Sequence, residues 1–420
     1  METVIGLDDT DASDVGMCTT YVASVIADEL SDAGFDIIDR YLIRLNPAVT
    51  YKTRGNAAVA IRTDAPADAA FETARAHVEA LAVMDDPSTN PGLAVVDVTR
   101  ADGLAEHAWQ TVRSIVDPDL AGDRLEHVDA LTWTGGNGRG LVGAAAAIGG
   151  LTAFNDWTVE YIGYRPRSRY GMPRRVDADS AFAADRATYP YTWDTVDHGE
   201  QSVICTPRTP GPVLFGLRGE DAPEVAKAAR ILDHEPLERE AMFHTNQGTD
   251  MHLRPGTPGG VDDGRAYCVS GRVDEEIETR RGGHVHFSII GGDGRLPCVA
   301  FEPTKRFRDH VRRLRPGDYV TVCGEVSEGT LKLEKFAIHS RRSFRRSIPR
   351  CEDCDRSMKS AGSGQGYRCP TCDRTANGRV IEVQSREIEP GWYEVPPVAR
   401  RHLARPLCRG GYPGDRHPER

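Results

Sequence analysis

Short, apolar-rich β-like runs at Thr3–Leu7, Asp36–Leu45, Ala57–Arg62, Leu93–Val98 and Val128–Trp133 predict strands. Between them the spacing lengthens. Val22, Val25, Ile26 and Leu30 recur at helical intervals within Thr20–Ala33, and Pro66–Val83 and Gly103–Val116 repeat the pattern. Strands alternating with helices make residues 1–150 an α/β or α+β unit. A second region, 151–255, has strand patterns at Thr158–Tyr164, Ser202–Thr206 and Val213–Arg218, then an Ala-rich helix at Ala222–Leu232. The turn-rich Pro255–Gly264, PGTPGGVDDG, reads as a linker.

After the linker come five short strand patterns: Ala266–Asp274, His284–Ile290, Leu296–Phe301, Asp318–Glu325 and Leu331–Ile338. A helical stretch, Lys305–Leu314, separates the third from the fourth, which is the order of an OB-fold barrel over 265–340. A cysteine module follows at 348–380. Residues 381–420 form a C-terminal tail, and its last stretch, RPLCRGGYPGDRHPER, lacks apolar periodicity and is expected to be disordered.

A chain of 420 residues, 39% hydrophobic, is long enough for several domains with real cores. No apolar run approaches the length of a membrane span, and METVIGLDD is not leader-like, so a cytoplasmic protein is expected. Net charge is −11, but unevenly spread: residues 301–420 carry +9 and residues 1–300 carry −20. The basic third is where a polyanion would bind. Only six of the 52 basic residues are Lys, and an acidic, Lys-poor surface suits a salt-adapted protein; solubility or an Arg-favouring genome would also produce it.

Four constellations carry chemistry. Cys351, Cys354, Cys369 and Cys372 form two CxxC pairs fourteen residues apart, a spacing that presents four thiolates to one tetrahedral zinc ion and closes its shell. Cys18, Cys205, Cys268, Cys298, Cys323 and Cys408 stand singly and read as packing residues, and His284 and His286 as same-face strand residues. RRSFRRSIPR, Arg341–Arg350, places five Arg around Phe344 between barrel and cysteine module; guanidiniums pair with phosphates and an aromatic stacks on bases, against the alternative of a solvated charge run. The loop WTGGNGRGLVGAAAAIGG contains GxGxxG at Gly138, Gly140 and Gly143 with Glu160 about twenty residues on, which fits dinucleotide binding, phosphate binding as in an ATP site, or close packing of small residues. Finally, Asp8, Asp9, Asp11 and Asp14 follow a strand and precede a helix start bearing Thr19 and Thr20; carboxylates at a strand end hold Mg²⁺ beside transferring phosphates. There is no GxxxxGK[ST], so this is not a P-loop enzyme.

Taken together, GLDDTDASDVGMCTTY, GGNGRGLVGAAAAIG, YIGYRPRSRYGMPRRV, FHTNQGTDMHL, CVAFEPTKRFRDHVRRLRPGDYV and the CxxC pairs resemble the archaeal tRNA 2-agmatinylcytidine synthetase family over about residues 1–380. The resemblance implies a multidomain α+β chain with a kinase-like domain, a ferredoxin-like domain, an OB fold and a zinc ribbon. It implies an ATP-dependent ligase that replaces the 2-oxo group of the wobble cytidine with agmatine, through a phosphorylated base, in the CAU-anticodon isoleucine tRNA that reads AUA. It implies Mg-ATP over Asp8, Asp9 and Asp11, with Thr19, or Thr20 beside it, as the autophosphorylated residue. Gly136, Asn137, Arg139 and Gly140 would hold ATP phosphates, Asn246, Gln247, Asp250 and His252 agmatine or nucleotide, and Arg341, Arg342, Phe344, Arg345 and Arg346 tRNA. No membrane and no protein partner is implied. Where a Ser commonly follows DDTD, this chain has Ala12 with Ser13 behind it. Two rival readings stand beside this one: a nucleotide-dependent oxidoreductase built on the glycine loop, and a non-catalytic single-strand-binding protein.

Overall fold

A computed structural model describes residues 2–12, 16–50, 52, 55–383 and 385–420; Ser13 and Asp14 of the acidic stretch lie outside them. The first half builds β1 (Thr3–Asp8), α1 (Thr19–Asp32), β2 (Ile37–Arg44), β3 (Ala57–Thr63), α2 (Ala67–Leu81), β4 (Gly92–Asp97), α3 (Ala105–Arg113), α4 (Pro118–His127), β5 (Leu131–Thr134) and α5 (Gly140–Ala153). Next come β6 (Thr158–Tyr164), α6 (Ala178–Thr188), β7 (Thr192–Trp193), the small pair β8 (Val196–Asp197) and β9 (Ser202–Val203), β10 (Val213–Gly219), α7 (Ala222–Ile231) and β11 (Arg239–Thr245). These two regions share one sheet, in the order β5-β4-β1-β3-β2-β11-β6-β10-β7. The seam is narrow. Only His244 and Thr245 of β11 pair with Tyr41 and Leu42 of β2, and this is the sheet's one parallel junction among the described residues.

Alternation along the strands explains the layers. On β1, Ile5 and Leu7 face α1 and α2 in one core, while Val4 faces α3, α4 and α5 in another. The Ala run of α5 lets that helix lie close on the sheet, because small side chains shorten the distance between layers. A largely antiparallel sheet excludes the dinucleotide-binding reading of the glycine loop: that motif needs successive parallel βαβ units, and β6, which carries Glu160, runs antiparallel to both its neighbours. The oxidoreductase alternative loses its basis.

A barrel follows, from β12 (Leu253–Gly256), β13 (Arg265–Val273), β14 (Glu278–Thr279), β15 (Val285–Ile290), β16 (Arg295–Ala300), α8 (Phe307–Arg312), β17 (Tyr319–Ser327) and β18 (Thr330–Ser340). Its five long strands are the five predicted from periodicity, closed by the β13–β17 and β16–β18 pairings around Val269, Phe287, Phe307, Val322 and Phe336. The linker reading needs one change, since its first residues belong to β12 and pair with β13. Cys268 and Cys323, expected to be single, face each other across β13 and β17 as a disulfide; sequence separation hid a pairing that strand register creates.

The last stretch, 405–420, expected to be disordered, is ordered, and so is the segment 385–404 before it. Gly391–Glu394 adds a strand to β18, and Trp392, Tyr393, Val395, Leu403 and Leu407 are buried. The segment then crosses from barrel to sheet on ion pairs: Arg400 with Asp194 and Glu394, Arg409 with Asp156 and Glu220, and Arg420 with Asp185. It shows no periodicity because spaced apolar anchors and arginines hold it, not a regular element with one apolar face. Among the described residues no helix is long and apolar enough to cross a membrane.

Candidate active site

A cavity of about 410 Å³ opens along the seam of the large sheet. The chain turns sharply off β1 to reach it, with Asp9 in the left-handed region at φ 59°, a conformation that an Asp tolerates better than most residues. Asp8, Asp9 and Asp11 line one wall with Thr19, Thr20, at the start of α1, and Arg139. Asp9 accepts from the Arg139 guanidinium at 2.8 Å and from the Asn90 N–H at 3.2 Å, and the Asp9 N–H donates to Asp8 at 2.7 Å. Burial first, then the Asp9 and Asp11 carboxylates, holds Asp8 well above the usual carboxylate range; burial also raises Asp9, against the pull of Arg139. The Thr10 hydroxyl donates to Thr19 Oγ1 at 3.1 Å, whereas the Thr20 hydroxyl is engaged with Cys18 Sγ at 3.0 Å.

The glycine loop supports this wall from behind. Of Gly136, Asn137, Arg139 and Gly140, only Arg139 reaches the cavity. Asn137 ties the loop together, its N–H donating to Asn90 and its side chain accepting from the Arg139 N–H. A Cβ on Gly140 would lie 2.3 Å from the Gly92 nitrogen, and one on Gly143 would lie 1.9 Å from an Asp8 carboxylate oxygen. Close packing therefore explains two glycines of GxGxxG, and the second seats Asp8.

The other predicted contacts, Asn246, Gln247, Asp250 and His252, do not line the cavity, and their side chains are engaged with the protein itself. Asn246 accepts from the Arg44 N–H and donates to the Arg44 carbonyl, Gln247 donates to Glu160, Asp250 binds Lys335 at 2.7 Å, and His252 binds Glu334 at 3.0 Å. The same loop docks the C-terminal segment: the Gly248 N–H donates to the His402 carbonyl and the Asp250 N–H to the Leu403 carbonyl, both at 2.8 Å. In this structure the polar motif bridges segments of the chain. It still shapes the site, because Arg44, Glu160 and His402 line the cavity with Arg218. Arg44, Arg218 and His402 went unread and Glu160 was read only as a partner of the glycine loop, since the four come from distant segments that only the fold collects.

The cysteine module forms as its spacing predicts. The four sulfurs lie within 4.8 Å of one another, and backbone N–H groups of Cys372 and Thr371 push the Cys369 thiol down to about 6, toward the thiolate a metal requires. Among the described residues no other group of three or more such ligands meets this distance; Asp8, Asp9 and Asp11 are not gathered as tightly, and the His284 ring accepts from the Glu302 N–H. In the basic hinge, Phe344–Ser347 pairs with Val380–Val383 as a two-stranded ribbon carrying Phe344, Arg345 and Arg346 outward. Arg341 is an anchor, its side chain donating to the Ile388 carbonyl at 2.6 Å, whereas Arg342 is held through its backbone N–H, which donates to Asp318 at 2.8 Å, and is itself exposed.

Family models match three stretches: the TiaS TCKD domain over residues 4–136, the TiaS FLD domain over 138–252, and the TiaS C-terminal zinc ribbon domain over 348–388. Curated relatives include the isoleucine-tRNA 2-agmatinylcytidine synthetase TiaS of Haloquadratum walsbyi, 44% identical over all of both chains, and that of Methanosarcina acetivorans, 42% identical over 97% of each. Similar solved structures include a complex of TiaS with isoleucine tRNA and ATP, 39% identical with a TM-score of 0.92. Another holds TiaS with isoleucine tRNA, AMPCPP and agmatine, 37% identical with a TM-score of 0.89, and each covers all of both chains.

Proposed function

The chain belongs to the isoleucine-tRNA 2-agmatinylcytidine synthetase family, and from that premise we propose how its cavity performs the reaction. It is an ATP-dependent, tRNA-modifying ligase that joins agmatine to a cytidine of an isoleucine tRNA. The observation that carries a site assignment is the seam cavity, where Asp8, Asp9, Asp11, Thr19 and Arg139 meet on one wall.

The 2-oxo group of cytidine is amide-like and a poor leaving group. Phosphorylating that oxygen converts it to one that the primary amine of agmatine can displace, with phosphate departing. Asp8, Asp9 and Asp11 are hard oxygen donors, the set that suits Mg²⁺, which commonly takes one or two carboxylates and fills its shell with phosphate oxygens. That ion would neutralise phosphate charge; Arg139, already held by Asp9, adds a fixed cation beside it. Thr19 is the better candidate for phosphoryl transfer to protein, because its oxygen accepts from Thr10 and its own proton remains to be given up. Gly136, Asn137 and Gly140 serve by placing Arg139 and α5.

We assign residues 1–150 to a kinase-like domain, 151–255 to a ferredoxin-like domain with helices α6 and α7 on its strands, 265–340 to an OB fold and 348–380 to the zinc ribbon, and place the reaction in the cytoplasm. The ribbon bearing Phe344, Arg345 and Arg346 is the proposed tRNA contact. The deciding experiment is mass spectrometry of tRNA after incubation with the protein, ATP and agmatine. The expected result is a cytidine carrying agmatine in place of oxygen, dependent on ATP; unmodified tRNA under these conditions would overturn the reading.

A further inference from the structure

The acidic wall accounts for half of the cavity's charge. The rest of its charged lining is mostly basic: Arg44 from β2, Arg218 from β10 and His402 from the C-terminal segment, together with Lys52 and Arg174, and with Glu160 as the added carboxylate. Glu160 lies between two of the guanidiniums, 3.6 Å from Arg44 and 3.4 Å from Arg218, and shares its carboxylate with the Gln247 amide. Arg218 also has Asp194 at 3.7 Å, itself shared with Arg400, so Glu160, divided between two guanidiniums, leaves Arg44 the under-compensated one. Two buried atoms report the deficit: among the described residues, Arg44 Nε and His402 Nδ1 have no hydrogen-bond partner. A guanidinium nitrogen only donates, so the missing partner of Arg44 is an acceptor. Burial, together with Arg44 and Arg218, holds the His402 imidazole well below its ordinary value, and an anion placed between these groups would oppose that shift.

We infer that Arg44, Arg218 and His402 form an anion subsite that takes a phosphoryl group on the wall of the catalytic cavity. A cationic ligand would meet two guanidiniums here, whereas a phosphate oxygen satisfies the orphaned donor and gains three hydrogen-bonding groups with converging charge. The phosphoryl group is either that of ATP or a phosphodiester of the RNA, and the inference rests on reading this cavity as the site where both are used. It also gives the C-terminal segment a role in chemistry: the 246–250 loop grips residues 402 and 403, and thereby sets His402 against Gly55 and Arg44.

Orthophosphate alone, titrated calorimetrically into the full-length protein at constant ionic strength, tests the subsite. His402→Ala and Arg218→Met should each weaken binding about tenfold, the size of one charge-assisted hydrogen bond. His402→Lys should bind at least as tightly as the parent, a result that a merely structural role for His402 would not give. Thermal unfolding and zinc content establish that each variant is folded, and the His402 pair keeps the test intact if Arg218→Met is not. A rise in KM for ATP with unchanged tRNA affinity in His402→Ala assigns the phosphoryl group to the nucleotide; the converse assigns it to the RNA. Parent protein that binds no orthophosphate, or His402 variants that bind it equally, would overturn the inference. Agmatine transfer by the parent is scored separately, so an active enzyme with an indifferent His402 sinks the subsite alone, and a phosphate-binding protein that modifies no tRNA sinks the proposed function alone.

Discussion

Burying a carboxylate beside two others is costly, and Asp8 is pushed up by its burial and by Asp9 and Asp11 while it packs on Gly143. Asp8→Asn removes that penalty together with the negative charge and one carboxylate oxygen. We expect an unfolding midpoint equal to or above the parent's by calorimetry, with ATP turnover down about a hundredfold or more. A second residue sets acid sensitivity. Burial pushes His107 on α3 down to about 4, although the Val142 carbonyl it touches opposes this. The native state thus binds fewer protons than the unfolded chain between pH 6.5 and about 4, so stability is full above this window and falls as pH drops through it. The loss approaches about 3 kcal/mol at its lower end. His107→Gln should flatten that part of the profile in denaturant titrations. Of these residues, the aspartates were legible because they cluster within four positions of the chain; Arg44, Arg218 and His402 were not, and Glu160 was tied to the wrong motif, because 358 positions of sequence separate Arg44 from His402.

At the scale of elements, periodicity located the core strands and α1, α2 and α7 to within a few residues, since each has one face to bury. It missed α4, α6 and β11. The two helices are short and polar, each started by an Asp cap, at Asp117 and Asp177, without a long apolar stripe; β11 lies in a sheet whose partners come from both halves of the molecule. Helix α5 ties packing to function. Gly143→Ala drives a methyl into the Asp8 side chain as far as its Cβ and should cost most ATP turnover by displacing Asp8 as well as lower the midpoint, whereas Gly140→Ala drives one into the Gly92 backbone and should act chiefly on the midpoint. On the outer ribbon, Arg345→Gln with Arg346→Gln should reduce the salt slope of tRNA binding by roughly 0.7 to 0.9 per lost phosphate contact and leave the KM for ATP unchanged. Arg341→Gln, which loses an anchor, should instead lower thermal stability, a split that filter binding and calorimetry resolve.

Across the whole molecule, sheet and barrel are joined by arginines of the C-terminal segment, each drawing carboxylates from separate parts of the chain. Arg400→Met would strand Asp194 and Glu394 in the interior, and we expect a loss of about 3–5 kcal/mol in urea titrations, with the segment becoming the first site of limited proteolysis. This segment also changes how the enzyme comes into being. A nascent chain that has exposed the acidic stretch, the glycine loop and the cysteine knuckles still has an open-sided pocket. It gains its last wall only when residue 402 has cleared the ribosome and settled against a loop made some 150 residues earlier. Half-made molecules, and products of a message broken near its end, would thus carry the aspartates and the glycine loop without the side of the pocket that His402 closes.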